Sequence, residues 1–100
     1  MRFEWDPKKD RTNWEKHNLS FDEVKELFAT GSDFLEIYDE EHSDEEDRFI
    51  AIGPIRVGVV AVVYTEPQDD VLRIVSARRA TKQEIVLFRR YYGGIDRNDE

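Results

Sequence analysis

Between Gly58 and Thr65 the chain is almost wholly apolar and dense in β-branched residues: Val59, Val60, Ala61, Val62, Val63 and Tyr64 follow one another without a break. The run has the length of a strand, and a strand with no polar alternation must be covered on both faces. It therefore predicts the centre of a sheet and demands further strands on either side. Phe34-Leu35-Glu36-Ile37-Tyr38 and Arg48-Phe49-Ile50-Ala51-Ile52 supply two of them ahead of it, the second stopped by Gly53-Pro54. After a turn over Glu66–Asp70, Val71 to Ala77 predicts an antiparallel return. Arg2-Phe3-Glu4-Trp5 alternates polar and apolar residues and is short enough for an edge strand.

Helix signals sit at both ends of this sheet. Asp6-Pro7 opens a polar helix to His17: Asp accepts from free N–H groups, and Pro is pre-set for the first helical position. Trp14 is its one large expected anchor, and Asn18 a left-handed stop. Ser20-Phe21-Asp22-Glu23 is a capping box, with Leu19 and Val24 placed as a hydrophobic staple. The helix it starts should bury Phe21, Val24, Leu27 and Phe28 and end before Gly31. Thr81-Lys82-Gln83-Glu84 is a second capping box. It begins a helix with Ile85, Phe88 and Tyr92 on one stripe, ended by Gly93-Gly94. The order β-α-α-β-β-β-β-α predicts an α+β fold, one antiparallel sheet with helices packed on one face. Residues 1–94 should form a single domain and 95–100 a flexible tail.

Net charge is −8, which argues against an anionic ligand until its distribution is considered. Residues 33–47 hold nine acidic side chains and no basic one, whereas residues 48–92 hold eight basic and four acidic. The basic half of the chain thus falls on the sheet and the last helix. There is no cysteine, which removes disulfide and thiolate chemistry and fits a cytoplasmic location. No apolar run approaches the length of a membrane span, so no membrane partner is expected.

The stretch Arg73-Ile74-Val75-Ser76-Ala77-Arg78-Arg79-Ala80-Thr81 places arginines on a rigid strand and at its exit. A guanidinium is always charged and presents a fork of donors matched to phosphate or carboxylate. Arg73 and Arg78 are five residues apart, however, and a regular strand points them to opposite faces. A bulge, or the strand-to-helix transition near Ala77, is needed for them to act together, and either can instead be an ion-pair partner. His17 ends a helix whose dipole favours a charged imidazole, beside Lys16; it can donate a proton or simply cap the helix. His42 and Glu46 lie in a loop, Asp39–Asp47, with seven acidic side chains. Its spacing matches no EF-hand, so a solvated loop is the plainer expectation, with Glu46 pairing Arg48 or the acidic side chains holding the arginines. Trp5, Trp14 and Phe21 can stack on a base, but core membership is the first expectation for Trp14 and Phe21.

In combination, several fragments resemble one family. Phe3-Glu4-Trp5-Asp6-Pro7, Asn13, Lys16-His17 and Ser20-Phe21 are similar to the N-terminal signature of the BrnT toxins. His42-Ser43, Glu46, Arg48, Ile52-Gly53, Val62-Val63-Tyr64-Thr65, Arg73-Ile74-Val75-Ser76-Ala77-Arg78, Ala80-Thr81 and Glu84 continue the resemblance in order and spacing. It implies a RelE-like toxin of a type II toxin–antitoxin system: an endoribonuclease needing no metal or cofactor, which arrests growth. The partner it implies is a ribbon-helix-helix, BrnA-like antitoxin in a heterotetramer, with operator DNA bound only through the antitoxin. Metal-free RNA cleavage needs the 2′-hydroxyl deprotonated, phosphorane charge stabilised and the 5′-oxygen protonated. Arg48, Arg73, Arg78 and His17 are the expected catalytic residues, and Lys16, Arg79 and Tyr64 the expected substrate contacts. Pro67 and Phe88 stand where the family commonly carries arginine and tyrosine. The alternative expectation is therefore a homologue with weakened or lost cleavage, kept for antitoxin binding and operon control.

Overall fold

The computed structural model describes residues 1–29 and 31–93. Its strands are β1 (Arg2–Glu4), β2 (Leu35–Tyr38), β3 (Phe49–Ile55), β4 (Gly58–Gln68) and β5 (Val71–Arg79), and its helices α1 (Pro7–His17), α2 (Phe21–Val24) and α3 (Lys82–Phe88). A 3-10 turn, Lys25–Phe28, extends α2, and a π-turn, Arg89–Gly93, extends α3. The expected tail, residues 95–100, lies outside the described residues, as does Gly94. Among the described residues no helix is long and apolar enough to cross a membrane.

The sheet runs β1-β5-β4-β3-β2, with the apolar strand β4 at its centre. Strands β2 to β5 pair antiparallel, but β1 lies parallel to β5, matching Arg2, Phe3 and Glu4 to Val71, Leu72 and Arg73. The sheet is therefore mixed, not antiparallel throughout. A three-residue strand carries no sequence signal for direction, and this one is brought alongside β5 by the helices that follow it.

One sheet face packs on α2 and its 3-10 extension. Ala51, Ile55, Val60, Val62, Tyr64, Leu72, Ile74 and Ala77 meet Leu19, Phe21, Val24 and Leu27 in a single core. The opposite face is not left to solvent. Ile52, Ala61 and Arg78 share it by register, and Ile52 and Ala61 are buried there. Glu84 of α3 binds Arg78, which puts α3 on this second face. The expectation that all helices pack on one face is thus corrected. A central strand apolar on both faces needs a cover on each.

Local chemistry sets the helix ends. Asp6 accepts from the Lys8 N–H at 2.9 Å, and Asn18 closes α1 in the left-handed region at φ 57°. Ser20 and Glu23 form a reciprocal capping box at α2, as do Thr81 and Glu84 at α3. Asp10 of α1 also accepts from the Phe21 N–H at 2.8 Å, locking the two helices together.

Two further expectations change. Trp14 is 51% exposed and anchors nothing; the buried residue of α1 is Asn13. Gly53-Pro54 does not stop β3, which continues to Ile55. Gly53 serves close packing instead, since a Cβ there would stand 2.7 Å from Leu27 Cδ1 and 2.8 Å from the Asp33 carbonyl oxygen. The chain turns after Ile55, with Gly58 at φ 131°.

Candidate functional site

Strand β5 is irregular where its arginines need it to be. Val63 pairs with Ser76, but the next residue of β4, Tyr64, pairs with Ile74, leaving Val75 as an extra residue. This bulge reverses the parity of everything before it. Arg73, opposite Thr65, and Arg78, opposite Ala61, consequently lie on the same face, the one that carries α3. Arg48 directly precedes Phe49, whose partner Tyr64 is on the other face, so the register continues Arg48 onto the α3 face. Three of the expected residues are thus brought to one side of the sheet.

They do not meet at a point. Arg73 and Arg78 oppose Thr65 and Ala61, four residues apart on β4, a span of about 13 Å. Each is also held by carboxylates. Arg78 forms a two-pronged pair with Glu84, Nη1 to Oε1 at 2.7 Å and Nη2 to Oε2 at 2.9 Å. Those hydrogen bonds raise the Arg78 pKa further, and in return they hold the Glu84 carboxyl below its ordinary 4.5. Arg73 donates from Nε and Nη2 to Glu4 Oε2 at 2.8 and 2.7 Å, while its Nη1 lies 3.8 Å from Glu46. Glu46, expected beside Arg48, reaches Arg73 instead. Arg48 lines a shallow acidic hollow with Glu41, His42, Asp44, Glu45 and Glu46.

The acidic loop is braced. The Ser43 hydroxyl accepts from the Arg48 N–H at 2.9 Å and donates to the Asp39 carbonyl at 2.6 Å, bridging the last rung of the β2–β3 ladder. His42 Nδ1 sits 3.1 Å from the Asp39 carboxylate, and the Tyr38 hydroxyl donates to Asp47 at 3.0 Å. Among the described residues no three His, Asp or Glu side chains converge as a metal ion would require.

Lys16 and His17 lie elsewhere, in a groove between α1 and the exposed edge of β5. Lys8, Lys9, Thr12, Asn13, Val75 and Ser76 complete its lining. Ser76 shares the α3 face with Arg73 and Arg78 and sits between them in the chain, so this cationic groove adjoins the arginine face. Asn13 makes the junction. Its amide oxygen accepts from the Ala77 N–H at 2.9 Å and its NH2 donates to the Leu19 carbonyl at 3.0 Å. It thereby satisfies the edge of β5 that β1 is too short to reach.

Two expected substrate contacts are separated from this surface. Arg79, paired with Val60, points to the other face and donates to the Val57 carbonyl at 3.2 Å. Tyr64 is 2% exposed in the core, against Phe28 and Phe49, and its hydroxyl donates to Glu36. Burial first, and then the Glu36 carboxylate, push its pKa far above that of a free phenol. It cannot serve as a base.

Sequence reasoning missed Asn13 as a clip, Glu84 as the Arg78 partner and Thr65 as a buried polar residue. Glu84 had a signal, since a glutamate at the third helical position stands one turn past the strand exit. Asn13 had none beyond its place in a polar helix.

The ribonuclease toxin BrnT of type II toxin–antitoxin systems provides a family model that matches residues 5–84. Among solved structures, the Brucella abortus ribonuclease toxin BrnT, determined at 1.1 Å resolution, is similar with a TM-score of 0.60 and 25% sequence identity. That similarity covers 82% of this chain and 99% of that one. A search of curated proteins gave no match.

Proposed function

The chain belongs to the BrnT family of ribonuclease toxins of type II toxin–antitoxin systems, and from that premise we propose that it is a metal-independent endoribonuclease working from the α3 face. The observation that carries this reading is the Val75 bulge, which places Arg73 and Arg78 on one face together with Arg48. Guanidiniums fixed on strands need no reorganisation to meet charge that develops on a phosphorane, which is where most of the stabilisation is needed. The groove holding Lys8, Lys9, Lys16 and His17 extends the positive surface past Ser76, giving a second stretch of RNA backbone a place to lie. His17 or Lys16 assists proton transfer there.

The partner we propose is a ribbon-helix-helix antitoxin in a heterotetramer, with a RelE-like toxin fold and a cytoplasmic site of action. The antitoxin covers the arginine face or the β2 edge, which has no strand beyond it among the described residues.

A second reading has an observation of its own. Arg73 and Arg78 are both engaged by carboxylates, as they would be in a homologue that keeps the fold for its antitoxin and has lost cleavage. Induced expression and a cleavage assay on purified protein separate the two. The nuclease reading expects growth arrest and cut RNA, both weakened by Arg73→Ala and Arg78→Ala. Unimpaired growth together with intact RNA leaves the second reading.

A further inference from the structure

The α3 face contains a buried hydroxyl. Thr65 is 2% exposed, and among the described residues its Oγ1 has no hydrogen-bond partner. Folded proteins rarely leave such a group unpaired, because it has given up water without a replacement. Its position is informative. Thr65 faces Arg73 across the β4–β5 pair, and Arg48 continues the β3–β4 register on its other side. A hydroxyl on β4 therefore has Arg73 opposite it on β5 and, one step beyond the last β3–β4 pair, Arg48 at the entry to β3, at a strand spacing of about 4.8 Å.

The Arg73 fork is shared unequally. Glu4 takes Nε and Nη2 in short contacts, whereas Glu46 sits 3.8 Å from Nη1 with both side chains more than 40% exposed. The first pair orients the guanidinium. The second is long, solvated and readily exchanged.

We propose that Arg48, Thr65 and Arg73 form an oxyanion pocket for one backbone phosphate of the RNA, and that Glu46 screens its Arg73 side in the free protein. Glu4 holds Arg73 in place throughout. When the phosphate enters, Glu46 moves to solvent, Arg73 Nη1 and Arg48 donate to phosphate oxygens, and Thr65 Oγ1–H gains its missing acceptor. The acidic loop is thus a built-in competitor that lowers affinity for weak anions. This inference rests on the nuclease reading for the identity of its ligand, not for the existence of the pocket.

The test measures binding of an uncleavable 2′-O-methyl RNA oligonucleotide by fluorescence anisotropy, and of inorganic phosphate by shifts of the arginine Nε–H resonances. Wild type is compared with Glu46→Gln, Thr65→Val and, as a control for the same charge change in the same loop, Asp44→Asn. E46Q should tighten RNA about three- to fivefold, the weight of one exposed ion pair, and more than D44N does. T65V should weaken RNA about fivefold, the weight of one hydrogen bond, while retaining the wild-type circular dichroism spectrum. Equal gains for E46Q and D44N overturn the occlusion, and wild-type affinity in T65V overturns the pocket. Phosphate binding without RNA binding overturns the assignment to a nucleic acid backbone. If no variant cuts cleavable RNA yet binding follows the expected order, the nuclease reading fails and the pocket stands. If RNA is cut while binding is indifferent to both positions, the reverse holds.

Discussion

Replacing Asn13 by alanine should remove more stability than any apolar residue of α1 could supply. The side chain is 5% exposed and closes two backbone groups of buried residues, the Ala77 N–H and the Leu19 carbonyl. Each such group left unpaired costs about 1–3 kcal/mol. Asn13 also lines the α1–β5 groove, so water can restore part of one bond, which places the loss at about 2–4 kcal/mol. Against a total of about 5–15 kcal/mol this is large. With a urea slope of about 2 kcal/mol/M, the unfolding midpoint should fall by about 1–2 M. Half-buried Trp5, edge-on to Phe21 at 6.1 Å, gives a fluorescence signal for the transition. Native-state hydrogen exchange should show the Ala77 amide losing protection. Asn13→Asp keeps the acceptor for Ala77 but sets an oxygen against the Leu19 carbonyl, so it should recover less than half of the loss. A midpoint shift below about 0.3 M for Asn13→Ala, equivalent to roughly 0.5 kcal/mol, would refute the argument. Water would then be serving the β5 edge as well as the amide does.

Two further outcomes follow from the same face of the sheet. Glu84 has a depressed folded pKa, so its contribution is full above its ordinary 4.5 and is lost as pH falls through the folded value. Glu84→Gln keeps a side chain that suits the capping box and removes the charge. It should cost about 1 kcal/mol at neutral pH, discounted for the partly exposed Arg78, and progressively less as pH is lowered below 4.5; a cost that does not fall with pH would show that the ion pair contributes no pH dependence. Thr65→Val should raise Tm, because it removes an unpaired buried hydroxyl worth about 1–3 kcal/mol, and each kcal/mol moves a domain of this size by about 4–8 °C. A lowered Tm would mean that the hydroxyl is bonded in the unliganded protein.

What could be read in the sequence was local. Asp6, Ser20 and Thr81 mark helix starts because a side-chain oxygen facing a free N–H needs only its own neighbours, and all three are caps in the structure. The uninterrupted apolar run of β4 likewise marked the centre of the sheet, since a strand apolar on both faces needs cover on each. The same run contained a second message that an arrangement with every helix on one face ignored: Ile52 and Ala61 need cover on the far side, and α3 provides it. The expected anchor Trp14 failed for a related reason. The α1 helix docks against the edge of β5, where the unmet demand is for hydrogen bonds, and Asn13 meets it with no contribution from a large apolar side chain.

The face proposed for function was illegible for a sharper reason. One inserted residue reverses the parity of a strand, and β5 has no glycine or proline to announce the insertion at Val75. Counting from Arg73 to Arg78 sends them to opposite faces, while the pairing sends them to the same one. Their carboxylate partners come from β1, the acidic loop and α3, positions that only the folded chain brings together. This gives the net charge of −8 a different meaning. An acidic excess spread evenly would repel RNA everywhere, but carboxylates seated on Arg73 and Arg78 can be displaced by a phosphate, and their cost is local. Of the three, Glu46 makes the longest contact and is joined to the sheet only through the braced loop. Affinity for RNA should therefore respond most to Glu46, whereas Glu4 and Glu84 should register chiefly as stability.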